Sequence, residues 1–149
     1  MRIGNKNTPD LVFILENIRD QDASELKAAH GNNWKETTFK NILESDYYIG
    51  YSKDDKPVLV FGVAKKSDDI GIIWMLSTQE ITEQISFLRQ AKKFVENCSN
   101  NYQVLCNFVH EENSLAIKWL ISLGFKFDYE CQGKENFIFF YLERKAEYL

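Results

Sequence analysis

The side chains of this sequence that could hold or transform a ligand fall into two groups. Neither forms a complete catalytic set. In the second half, Asn113 heads the run Asn113-Ser-Leu-Ala-Ile-Lys-Trp-Leu-Ile-Ser-Leu-Gly-Phe125. Its carboxamide can bond a ligand or cap the helix that follows, and capping is the commoner use. Asn107 lies in the apolar segment Gln103–Val109, where it can face a ligand or bond neighbouring backbone. His110 follows it, and an imidazole there could act as a base near neutral pH. A histidine between Val109 and Glu111 can equally be just solvated. In the first half, Leu76, Ser77 and Thr78 close an apolar run ahead of Gln79-Glu80. Hydroxyl caps with an acid in the first turn mark a helix start, whose positive end attracts anions. Arg19, Asp22 and Glu25 are spaced to line a substrate mouth or to pair with one another. Trp74 lies in an apolar run and fits a core position as well as a cleft. Arg89, Lys92 and Lys93 could reach an anion or form a solvated basic face.

These residues need elements to carry them. Thr8-Pro9-Asp10 has the cap, first-turn proline and acid of a helix start, with Leu11, Ile14, Leu15 and Ile18 at helical spacing. Asp22 can cap a second helix that ends at His30-Gly31, the histidine favoured by the dipole. Trp34, Phe39, Ile42 and Leu43 predict a third helix over about 34–44. The pattern then turns to strands. Tyr47–Ser52 is aromatic and β-branched, Asp54-Asp55-Lys56-Pro57 is a turn, and Val58–Ala64 and Ile70–Leu76 are continuous apolar runs. Their short connections predict an antiparallel meander. The longest helix is expected to start at Ser77-Thr78, with Ile81, Ile85, Leu88, Ala91 and Val95 on one face. Strand 103–109 follows, then the Asn113 helix and strands near 126–131 and 136–142, split by Gln132-Gly133-Lys134. A strand, a crossover helix and another strand make 70–76 and 103–109 parallel neighbours.

Bulk properties exclude several classes. With 149 residues, 44% apolar and 14% aromatic, the chain fits one domain spanning 1–149 with a real core. A net charge of −4 offers no basic field for nucleic acid or an anionic membrane. No apolar run reaches the roughly 20 residues of a membrane span. The first five residues hold no signal-peptide core, so secretion is not expected. Cys98, Cys106 and Cys131 form no CxxC pair and fit free thiols in a reducing compartment. No G-x-S-x-G elbow, activated cysteine or metal-ligand spacing is present.

The order of elements and the Asn-x-x-Ala…Gly-Phe helix at 113–125 resemble the GNAT acyltransferase superfamily. The resemblance implies an α/β (α+β) domain with a mixed central sheet, whose parallel strands at 70–76 and 103–109 splay to leave a cleft. It implies acetyl-CoA as cofactor, with Leu76, Ser77, Thr78, Asn107 and Asn113 as binding residues. Arg19, Asp22, Trp74 and His110 would line the substrate cleft, and no metal is implied. Two features depart from the family. Active members place a glycine-rich loop under the pyrophosphate, since glycine lets backbone amides close on phosphate at the helix end. Here no glycine lies between Gly71 and Gly124, and Glu80 adds negative charge. Many members also carry a tyrosine acid seven residues after the asparagine, where this chain has Leu120. Tyr129 and Tyr48 are the substitutes to consider.

A narrower resemblance is to a GNAT-like family of short-tailed bacteriophages, some of whose members are internal virion or core proteins. It rests on Arg19-x-x-Asp22-x-x-Glu25, Phe61-Gly62-Val63, Trp74–Thr78, Phe87-x-Arg89, Leu105-x-Asn107-x-Val109, and Trp119-Leu120 through Phe125. It implies a location in host cytoplasm or virion, and two functions stay open. One is N-acyl transfer from acetyl-CoA. The other is a non-catalytic scaffold that binds a host or phage protein. The aromatics Phe137, Phe139, Phe140 and Tyr141 also predict a homodimer through the C-terminal strands.

Overall fold

The computed structural model describes residues 2–83, 86–133 and 135–144. It is an α/β fold built on a mixed seven-stranded sheet of order β1-β2-β3-β4-β5-β7-β6. The strands are β1 (Arg2–Gly4), β2 (Asp46–Tyr51), β3 (Pro57–Lys65), β4 (Ile70–Ser77), β5 (Val104–His110), β6 (Lys126–Gln132) and β7 (Phe137–Glu143). The α-helices are α1 (Thr8–Glu16), α2 (Asp20–His30), α3 (Trp34–Leu43), α4 (Ser86–Asn101) and α5 (Ser114–Ser122). The chain forms two compact units, Met1–Val63 with Trp74–Gln84, and Ala64–Ile73 with Ile85–Leu149.

In the first unit, α1 starts at Asn7, whose Oδ1 accepts from Asp10 N at 3.1 Å. The expected Thr8 is already inside the helix. The apolar stripe of α1 buries Leu11, Ile14 and Leu15 in a cluster with Ile42, Tyr47, Ile49, Tyr51, Val60 and Leu76, against which Trp74 packs. Each such aliphatic side chain contributes about 1.5–3 kcal/mol relative to an exposed one. β2 runs antiparallel to β3, with Tyr48 opposite Phe61 and Tyr47 opposite Gly62. A Cβ at Gly62 would lie 2.5 Å from Asp46 O and 2.8 Å from the Trp74 ring, so that ring packs only over glycine.

In the second unit, α4 packs on β5 and buries Ala91, Val95 and Cys98. The start of β4 is parallel to β5 through Ile70↔Val104, Gly71↔Leu105 and Ile72↔Cys106. β5 then pairs antiparallel with β7 from Val104↔Glu143 to His110↔Phe137. α5 turns into β6 through Gly124, at φ +92°, a conformation that favours glycine. Phe125 thereby reaches the core, edge-on to Phe140 at 5.3 Å. β6 bulges between Asp128 and Gln132, where the Asp128 carboxylate accepts from Glu130 N at 3.0 Å and Cys131 N at 3.2 Å.

The mixed sheet and the parallel orientation of β4 and β5, paired over Ile70–Ile72 and Val104–Cys106, agree with the sequence. Two elements differ. β1 pairs with β2 through Arg2↔Tyr51 to Gly4↔Ile49, and three residues were too short a run to show periodicity. The longest helix does not begin at Ser77. Ser77 ends β4, Gln79–Glu83 is a 3₁₀ turn, and α4 starts at Ser86. Hydroxyls and a first-turn acid suit a 3₁₀ start as well as an α start, so the cap signal could not separate them. Ile85, the Leu88 side chain and Lys134 lie outside what is described.

Candidate functional site

The named residues gather at two strand ends, one in each unit. In the first, β4 terminates in a buried polar cluster. Asp22 is 4% exposed and accepts from Ser77 N at 3.0 Å and Ser77 Oγ at 3.4 Å. Its other oxygen pairs with Arg19 Nη2 at 2.9 Å. Arg19 N donates to Ser77 O at 2.8 Å, and Ile18 bridges Thr78. A buried carboxylate needs such compensation, because desolvating it alone costs several kcal/mol. Thr78 N donates to Val58 O at 2.9 Å, so Thr78 faces β3 and Ser77 faces the opposite edge. The Thr78 hydroxyl is buried and has no hydrogen-bond partner among the described residues.

Strand alternation extends this assignment. Val104 N donates to Asp69 O, so the odd-numbered residues of β4 turn their backbone groups away from β3. Met75 therefore presents its N–H and C=O to the same edge as Ser77. The sequence did not single out Met75. The signal was there in the period-two alternation, but no residue type marks a backbone group as useful.

In the second unit, Asn107 sits where the parallel ladder stops. Its Nδ2 donates to Ile73 O at 2.9 Å and its Oδ1 accepts from Phe108 N at 2.8 Å. Farther along, Asn113 caps α5, its Oδ1 accepting from Ala116 N at 3.3 Å, while Asn113 N donates to His110 O at 3.0 Å. His110 Nδ1 accepts from Glu112 N at 3.1 Å, and its ring stands edge-on to Phe137 at 5.1 Å. That bond makes the Nδ1 nitrogen an acceptor and leaves any ring proton to Nε2.

The structure thus joins Arg19, Asp22, Ser77 and Thr78 in one cluster and brings His110 and Asn113 together in another. Trp74 packs against the core of the first unit. Leu76 is part of that core. Tyr129 is 71% exposed in the β6 bulge, and Tyr48 stacks on Phe61 at 5.8 Å. Glu80 is paired with Lys56 Nζ at 2.7 Å, so its charge is partly offset locally. Burial pushes the Cys98 thiol up to about 11 and raises that of Cys106 as well, which keeps both protonated and unreactive near neutral pH. Among the described residues no His/Cys/Asp/Glu group could hold a metal, and no helix is long and apolar enough to cross a membrane.

No family profile and no curated protein sequence matches the chain. Solved structures do. A GCN5-related N-acetyltransferase from Kribbella flavida superposes with a TM-score of 0.72 at 10% identity, over 95% of this chain and 96% of that one. The PaiA N-acetyltransferase of Thermoplasma acidophilum, in complex with coenzyme A, gives 0.67 at 14% identity, over 95% and 98%. A phosphinothricin acetyltransferase of the GNAT superfamily from Sinorhizobium meliloti, in complex with acetyl-CoA, gives 0.66 at 10% identity, over 96% and 88%. At these identities the likeness is one of fold, and the fold is that of the GNAT acetyltransferases.

Proposed function

Taking the GNAT fold as premise, we propose that this protein binds acetyl-CoA and transfers its acetyl group to an amine. The observation that carries the reading is the early end of the parallel ladder at Ile72↔Cys106, beyond which β4 continues to Ser77 with its odd-numbered backbone groups turned from β3. An extended, amide-bearing arm suits such an edge, because strand backbone pairs with any amide regardless of side chains. The residues fit this part of the cofactor. Met75 N–H and C=O would hold one amide of the arm, next to Ser77, whose own backbone groups are held by Asp22 and Arg19. The bound cofactor would supply an acetyl thioester.

The fit to the pyrophosphate is poorer. Residues 77–82 contain no glycine, and Lys56 is the cation beside Glu80. Leu120 holds no proton for a leaving thiolate, so the reading assigns no residue as general acid. These same features favour a second reading, a GNAT scaffold without catalysis that binds a host or phage protein. The finer assignment to short-tailed bacteriophages, in host cytoplasm or virion, rests on the residues running from Arg19 to Phe125.

Calorimetry and thermal shift with acetyl-CoA separate the two. Acetyl-CoA at about 100 times its dissociation constant should stabilise the fold by roughly 2.7 kcal/mol. Absence of any shift at millimolar cofactor would remove the acyltransferase reading and leave the scaffold reading standing.

A further inference from the structure

We infer that Asn107 is the positioning residue that ends the β4–β5 ladder, its side chain standing in for the missing rung. The parity of the strands sets the expectation. Val104 N donates to Asp69 O, and the pairs Ile70↔Val104 and Ile72↔Cys106 turn the even-numbered residues of β5 toward the odd-numbered residues of β4. The next rung of a regular parallel ladder would run from Phe108 N to Ile73 O. Both groups are instead taken by one carboxamide. Asn107 Nδ2 donates to Ile73 O at 2.9 Å, and Asn107 Oδ1 accepts from Phe108 N at 2.8 Å.

A carboxamide carries both a donor and an acceptor, as a peptide unit does, and can satisfy both strands while holding them one amide group apart. Aspartate has the acceptor and lacks the donor. Valine has neither and leaves the two backbone groups free to meet. Asn107 therefore decides how long the parallel pairing is, and with it where the β4 edge becomes free. The consequence for acetyl-CoA rests on the proposed function; the hydrogen-bond exchange does not.

The test uses the full isotope-labelled chain and NMR couplings across hydrogen bonds. In the wild type, Phe108 N should couple to the Asn107 side-chain carbonyl carbon. In Asn107→Val that coupling should move to the Ile73 backbone carbonyl, and acetyl-CoA affinity should fall at least tenfold. A merely structural residue would lower the melting temperature without changing the partner of Phe108. Direct Phe108–Ile73 coupling in the wild type would overturn the inference. So would Asn107→Val if Phe108 gained no bond to Ile73. Should Asn107→Val fail to fold, Asn107→Asp decides. Phe108 should stay bonded to the introduced carboxylate with the ladder no longer than before, and pairing of Phe108 with Ile73 would refute the wedge. If the wild type binds no acetyl-CoA, the couplings alone judge the wedge, and only the acyltransferase reading falls.

Discussion

The end of β4 and the turn-off of β5 solve the same problem with different chemistry. Each leaves a strand edge whose backbone groups need partners. At β4 the partners are charged and buried, Asp22 ion-paired with Arg19 and bonded to Ser77. At β5 they are neutral amides, Asn107 between Ile73 and Phe108, and Asn113 at His110 and Ala116. A charged closure is all-or-none, since removing one partner strands the other charge away from water. A neutral closure costs less to break, because no charge is stranded: water can replace the carboxamide at half-buried Asn107, and at buried Asn113 only a backbone N–H loses its partner.

Breaking the charged closure should have the largest effect. Asp22→Ala leaves the Arg19 guanidinium, only 14% exposed, without its carboxylate. It should cost about 3–5 kcal/mol of unfolding free energy in urea titration. Asp22→Asn keeps an acceptor for Ser77 N and should cost less. If the two variants lose the same small amount, the charge contributes nothing and the contrast with β5 disappears.

The neutral closure should yield less. Asn113→Ala removes the cap on Ala116 N and should cost about 1 kcal/mol. Circular-dichroism melts of this variant beside Asp22→Ala would measure the contrast directly. A loss at Asn113 as large as that at Asp22 would mean that the amide does more than cap.

The last effects show only at alkaline pH, leave stability near neutral pH untouched, and are staggered between the units. In the first unit the Tyr51 hydroxyl donates to Asp10. Burial foremost, then that bond and the Asp10 charge, raise Tyr51 from 10.0 to about 12. In the second, burial raises Cys98 from 9.0 to about 11. For both, the folded protein keeps a proton that the unfolded chain has released, so stability is full below the unfolded pKa and falls as pH rises through the folded one. The Cys98 part should be lost between about 9 and 11, and the Tyr51 part between about 10 and 12. Stability-versus-pH curves of Cys98→Ala and Tyr51→Phe should each lack one step. Identical curves would mean that neither burial couples to folding.

Much of the scaffold was legible because it depends on local pattern. The stripe Leu11, Ile14 and Leu15 became the buried face of α1, and Val58–Phe61 became a strand buried throughout. The Gly124-Phe125 ending placed a positive-φ turn ahead of a core aromatic. The end of β4 was harder, since Ser77-Thr78 reads equally well as a strand end, a 3₁₀ start or a helix cap. β1 escaped notice because three residues carry no period.

The sequence by itself determined most of the helical and extended segments, β1 and the end of β4 apart, and that β4 and β5 run parallel, because hydrophobic periodicity and connection length act locally and through chirality. It also marked Asn107 and Asp22 as polar residues in places that need an explanation. Only the tertiary structure decided what they do. Asn107 bonds a carbonyl 34 residues away and Asp22 an amide 55 residues away. A side-chain hydrogen bond reaches only about 3 Å, so the partner that gives each residue its role exists only once distant backbone has been brought to it.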